Sequence, residues 1–208
     1  TYFKIDFLHA ASAVGSRHDN AHFTRAQALR AGIEAVRRGI GEDSFLLGCG
    51  SPLLSAVGLV DAMRVSEDVA PHYEPRVFFP GFEENTVSAR NAIEASVLRS
   101  PLHRRWFILD PDCVLLRRDN TELNENERVI VRDTALATSG FVALSDDLAL
   151  YDDALWAEAA ELFERARELD GPRRLLNPLS TDPTIEFGTG TNSTSFTLDW
   201  YAREEKTP

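Results

Sequence analysis

Cysteine, methionine and long apolar runs are scarce in this 208-residue chain, which has two Cys and one Met. Cys49 and Cys113 cannot build a disulfide framework, and their spacing is not that of paired metal ligands. No apolar run approaches the ~20 residues of a bilayer-spanning helix. Positive charge is also short: 22 basic against 33 acidic side chains leave a net charge of −11. Such a balance argues against a nucleic-acid partner and against an anionic membrane surface. Apolar residues are not scarce, at 43% of the chain, so a disordered or collagen-like chain is excluded. The chain starts at Thr1 without an initiator Met or a signal-peptide pattern. The expectation is a piece of a longer, cytoplasmic polypeptide.

Short apolar runs alternate with longer helical patterns. Residues 2–7, 44–49, 58–64, 106–109 and 140–144 read as strands. Between them, helical spacing follows a Thr24 cap through Ala26, Leu29, Ile33, Val36 and Ile40. It recurs over 84–98, 126–138 and 152–169. The gap 51–57 is too short for a full helix. Strands separated by helices imply parallel pairing, and near-continuous apolar runs suit strands buried on both faces. The fold class predicted is α/β, a partial barrel over residues 1–170. From Gly171 the composition shifts to Pro, Gly, Thr and Asn, and residues 194–200 alternate as an antiparallel strand does. Residues 171–208 are therefore expected to be a linker and the start of a β-rich element.

Each predicted strand ends in polar residues, where parallel α/β barrels assemble their chemistry. Lys4 and Asp6, two apart on a strand, share a face. A carboxylate buried beside an ammonium stays ionised, which a nucleophile requires; a structural ion pair fits the same spacing. Arg64 can fork hydrogen bonds onto adjacent sugar hydroxyls, and Asp68 follows in the next loop. Two carboxyl groups across a pocket are the apparatus of glycoside hydrolysis, although Arg64–Asp68 also reads as a solvated loop. Cys49, beside Gly50 and Ser51, ends the second strand as a pocket-lining or a buried inert thiol. Asp110-Pro111-Asp112 reads as a turn in preference to a cation site. His18 and His22 have helical spacing but no third ligand. Tyr73, Trp106 and Phe107 read as core or rim aromatics before sugar platforms. Gly188-Thr189-Gly190-Thr191 is no phosphate loop, because no Lys or helical pattern follows it.

In order along the chain, Tyr2-Phe3-Lys4-Ile5-Asp6-Phe7, Thr24 to Arg30, Phe45 to Pro52 and Gly58 to Pro71 resemble the melibiase-type α-galactosidases of glycoside hydrolase family 36. Asp110 to Arg117 and Ser139 to Leu148 extend the resemblance to about residue 150. The resemblance implies a retaining α-galactosidase built on a (β/α)8 barrel, of which this chain would supply about strands four to eight. The family's nucleophile falls on Asp6 and its acid/base on Asp68. Lys4 and Arg64 match residues that hold sugar hydroxyls. Cys49 and Gly50 match the fifth-strand end, near the sugar 2-position. The implied partner is an α-galactoside oligosaccharide, and no metal or organic cofactor is implied. The family usually carries Trp-x-Asn-Asp-Pro-Asp on its seventh strand; here Leu109 replaces the amide. The strands that read the galactose 4-hydroxyl are not in the sequence.

Three rival readings fit the same residues. One is a metal-dependent barrel hydrolase using His9, His18, His22 and Asp110. The others are a galactosyl-transferring member of the same family and a non-catalytic sugar-binding fragment. Residues 1–208 alone are expected to be oligomeric or poorly folded and inactive. The N-terminal half of the same polypeptide is the expected missing partner, and a homo-oligomer fits as well.

Overall fold

The computed structural model describes residues 1–15, 22–76, 86–139, 141–188 and 193–198. The chain divides into two compact units. The first is Thr1–Arg64 with Trp106–Ile108, and the second is Val65–Arg105 with Leu109–Pro208.

In the first unit, strand β1 (Tyr2–Ile5) leads through helix α1 (Arg25–Ile40) to β2 (Phe45–Gly48). A single-turn helix, α2 (Leu53–Ala56), then leads to β3 (Ala62–Arg64). The strands are parallel, with Tyr2 opposite Phe45, Ile5 opposite Gly48, and Gly48 opposite Met63. The sheet order β1-β2-β3-β4 is reached within this unit by Ile108, the first residue of β4 (Ile108–Asp110). Its N–H donates to Asp61 O at 2.9 Å. Helix α1 starts where the sequence says: the Thr24 hydroxyl accepts from Gln27 N–H while the Gln27 side chain accepts from Thr24 N–H. Its last turn is tied down by buried Arg37, which donates to Ser44 O (2.7 Å), Leu59 O (3.0 Å) and Asp61 Oδ2 (2.6 Å). Asp61 Oδ2 also accepts from Leu46 N–H, so one carboxylate serves a helix and a strand. Leu29, Ile33, Leu46, Leu47, Ala62 and Met63 are among the unit's buried apolar residues. A Cβ on Gly48 would lie 2.7 Å from the Met63 Cε, so the end of the Met63 side chain packs into the space that this glycine leaves.

The second unit contains α3 (Ala89–Arg99), β5 (Cys113–Val114), α4 (Glu125–Thr138), β6 (Ala143–Leu144) and α5 (Asp153–Glu168). β5 and β6 pair in parallel. Asp146 secures their exits by accepting from Leu116 N–H (2.7 Å), Arg117 N–H (3.1 Å) and the Tyr151 hydroxyl (2.6 Å). An antiparallel sheet follows, β7 (Arg174–Leu176), β8 (Thr184–Phe187) and β9 (Thr194–Thr197). Ile185, Phe187 and Leu198 share one apolar core with Ile93, Val97, Ile130 and Val131 of α3 and α4. A second core sets Val114 and Leu116 against Leu155, Ala159 and Leu162 of α5.

The α/β class, the parallel pairing and the later antiparallel sheet match the sequence reading. The strand predicted over 58–64 is shorter, because Gly58 at φ 78° still belongs to the turn after α2. β5 is absent from the sequence reading because two residues carry too little pattern. β7 and β8 lie in the Pro-rich stretch read as linker, where cross-strand pairing rather than local preference makes the strand.

Candidate active site

The polar cluster of the first unit is built at the exits of β1 and β2. β1 ends at Ile5, and Cys49 N–H donates to Ile5 O at 2.8 Å, carrying the ladder one step past β2. Asp6 follows, and then Phe7 adopts the left-handed conformation, φ 53° and ψ 32°. For a bulky residue this is an outlier costing ~1–3 kcal/mol, and such strain gathers where geometry is over-determined. Here the constraints are visible. Phe7 N–H donates to Asp6 Oδ1 at 2.6 Å. Leu8 N–H donates to Cys49 O at 3.3 Å, and His9 N–H to Gly50 O at 2.7 Å. His9 Nδ1 also lies 3.1 Å from Gly50 O; a carbonyl only accepts, so the proton is on Nδ1. Gly50 has φ 58°, and a Cβ there would sit 3.3 Å from the Phe7 backbone and 3.4 Å from Asp6 Oδ1. Gly50 thus lets β2 close against the Asp6 carboxylate.

The charges complete the arrangement. Desolvation pushes the Asp6 pKa up, but four effects together outweigh it. The Cys49 S–H and Phe7 N–H donate to the carboxylate, and Lys4 and Arg64 add positive potential. The net result holds Asp6 below the usual carboxylate range. Cys49 moves the other way. Burial first, then the hydrogen bond to Asp6, pushes its thiol up to about 11, so it is a neutral donor near pH 7. Arg64 is buried, whereas Lys4 and Asp6 are exposed. The sequence expectation of a buried Asp6 is therefore corrected: ionisation is held by donors and cations, with the carboxylate open to solvent. An ionised, fixed and accessible carboxylate can act as a nucleophile.

TtGalA, the α-galactosidase of Thermus thermophilus, matches in two structures. In its complex with p-nitrophenyl α-D-galactopyranoside the identity is 28% and the TM-score 0.68, over 97% of this chain and 37% of that one. In its complex with stachyose the identity is 30% and the TM-score 0.63, over 77% and 33%. This chain resembles family 36 α-galactosidases. It spans about a third of the TtGalA length. α-Galactosidase I from Mortierella vinacea shares the fold at 16% identity and TM-score 0.51, over 78% of this chain and 46% of that one. No protein-family model matches the chain.

Asp68 is exposed, in the loop that follows β3 and belongs to the second unit. His18 lies outside the described residues, as do residues 189–191 of the Gly-Thr run. His22 is exposed. Among the described residues, no three His, Cys, Asp or Glu side chains gather as a metal ion would require. Tyr73 and Phe107 are buried, in keeping with core roles, and Trp106 is partly exposed with an edge-on contact to Phe107. An open groove on the antiparallel sheet, lined by Arg174, Glu186, Phe187 and Ser195, contains none of the predicted site residues. Phe7 and His9 shape the turn after Asp6, a role that their sequence context does not signal. Nothing local marks Phe7 for positive φ, since that conformation is imposed from β2.

Proposed function

We propose that this chain carries the nucleophile, the acid/base and part of the sugar-binding wall of a retaining α-galactosidase. The single observation that carries this reading is Asp6: ionised, accessible, and held by the Cys49 thiol and its own turn in an α-galactosidase-like fold. In the first step Asp6 attacks the anomeric carbon of a terminal α-galactosyl unit. Asp68 gives its proton to the departing glycosidic oxygen, leaving a β-linked galactosyl ester on Asp6. In the second step Asp68 takes a proton from water, which displaces Asp6, and the α-configuration is restored. Lys4 and Arg64 hold hydroxyls whose hydrogen bonds strengthen as charge develops on the ring. Cys49 and Gly50 line the site near the 2-position. No step uses a metal or organic cofactor.

We place this activity in the longer polypeptide. The chain matches 33–37% of TtGalA. Among the described residues β1 pairs with β2 alone, leaving Tyr2 and Phe3 exposed at a sheet edge. The (β/α)8 barrel would be closed by strands beyond these residues, so the 208-residue chain by itself is expected to be inactive. The test is Asp6→Gly in the full-length polypeptide. Turnover of an aryl α-galactoside should vanish, and azide should restore it with β-galactosyl azide as product. Wild-type-like activity of Asp6→Gly would overturn the assignment.

A further inference from the structure

The run Asp110-Pro111-Asp112 does more than turn the chain after β4. Each of its three residues supplies an acceptor to the loop that carries Asp68. Asp110 O accepts from Val65 N–H at 3.0 Å. Pro111 O accepts from the Ser66 hydroxyl at 2.9 Å. Asp112 Oδ2 accepts from Val69 N–H at 2.6 Å. Asp68 therefore sits between two anchored neighbours, Ser66 and Val69. The clamp is itself braced. Asp112 N–H donates to Asp110 Oδ1 at 2.9 Å, and Asp110 is only 5% exposed. Asp112 is held at φ 79°, a conformation Asp tolerates better than most side chains. From the other side, the Arg99 guanidinium donates to Val65 O.

We infer that Asp112 is a positioning residue, fixing the Asp68 loop through Val69 so that the Asp68 carboxyl is aimed for proton transfer. The inference rests on the acid/base reading of Asp68. Proton transfer is sensitive to placement: a misplacement of ~1 Å can cost ~100-fold, and general acid–base help is itself worth ~10²–10⁴-fold. A loop restrained by three hydrogen bonds on a strained, buried turn satisfies that need; a solvated loop would not.

The experiment uses the full-length enzyme and two substrates, an activated aryl α-galactoside and an unactivated α-galactosyl disaccharide. Asp112→Gly accepts the positive φ and removes the Val69 acceptor. Its kcat/KM on the disaccharide should fall by about 10–100-fold, with a much smaller fall on the aryl substrate. Asp112→Asn keeps an amide oxygen for Val69 and should restore most of the loss. In an Asp68→Ala background, Asp112→Gly should cost little more, because it acts through a group already removed. Equal losses on both substrates for Asp112→Gly, or the same loss in the Asp68→Ala background, overturn the inference. Should Asp112→Gly fail to fold, Ser66→Ala loosens the same clamp by one bond and should show the same substrate dependence at smaller size; equal losses there overturn it too. Asp68→Ala alone separates the two ideas. Selective loss on the disaccharide upholds the acid/base reading whatever Asp112 does, and equal loss on both substrates removes that reading and this inference together.

Discussion

The two units each hold a cluster of perturbed ionisable groups, and the clusters differ in what satisfies them. At the β1 and β2 exits, Asp6 is accessible, its neighbour Phe7 is strained and 71% exposed, and its partners are side chains and one amide that favour negative charge. In the second unit, His103 (0% exposed) and Arg173 (1% exposed) are sealed. His103 Nδ1 accepts from Leu109 N–H and Nε2 faces Asp170 Oδ1, both at 3.2 Å. Burial, then the nearby Arg173 charge, pushes its pKa down to about 4, so it stays neutral. Arg173 donates to Leu136 O (3.1 Å) and Ala137 O (2.7 Å) in the last turn of α4. It also donates to Leu169 O (3.1 Å) at the end of α5 and to Gly171 O. These carbonyls have no intrahelical partner, and a cation suits the negative end of each helix dipole. Its guanidinium also lies over the Phe187 ring, 5.3 Å from the centroid. Perturbed ionisation alone does not distinguish a working site from a structural one. In the proposed reading, what separates them is the open coordination of Asp6 against the closed coordination of Arg173.

The contrast breaks most directly at Asp6 and Arg173. Asp6→Asn in the full-length enzyme should abolish turnover, a loss of at least about 10³-fold, with little change in Tm, since an exposed group is altered. Arg173→Met should do the reverse. It strands several buried carbonyls and should destabilise by about 3 kcal/mol or more in denaturant unfolding, while kcat per folded molecule is kept. If Arg173→Met lost kcat at unchanged stability, the division between the clusters would fail.

The next effect is pH-dependent. His103 is neutral in the folded state down to about pH 4, whereas an unfolded His takes up its proton near 6.5. Above pH 6.5 both states are neutral and the group contributes no pH dependence. As pH falls from 6.5 to 4 the unfolded state gains a proton that the folded state refuses, and stability drops by roughly 3 kcal/mol in total. Asp170, held below its usual range despite desolvation by donors from Arg104 and His103, carries the loss on to lower pH. Unfolding free energies measured at pH 7 and pH 4.5 should show the slope, and His103→Gln should flatten it.

The smallest effect sharpens the first cluster. Cys49→Ala removes the S–H that helps hold Asp6 ionised. The Asp6 pKa should rise, moving the acid limb of kcat/KM to higher pH by less than about one unit, with little change at the plateau. An unmoved acid limb would mean the thiol is only packing.

Much of this was legible residue by residue. The Thr24 and Gln27 capping box, the period of α1 and the paired Lys4 and Asp6 on one strand are local patterns, set by spacing alone. So was the polar end of β2 at Cys49 and Gly50. The family likeness was readable because its motifs keep their order along the chain. Three things were not local. Phe7 takes positive φ because β2 presents Gly50 O and Cys49 O to the turn, 43 and 42 residues away in sequence. Asp112 acquires a role because Val69, 43 residues earlier, needs an acceptor. Arg173 looks like any charged residue of a Pro-rich stretch until the ends of α4 and α5 surround it. The sequence by itself determined which residues could form helices and strands and which side chains carry useful chemistry, because backbone preference and side-chain pattern act over a few residues. The tertiary structure alone decided which carboxylate is held ionised and open and which cation is sealed, because hydrogen-bond partners and desolvation come from segments distant in the chain.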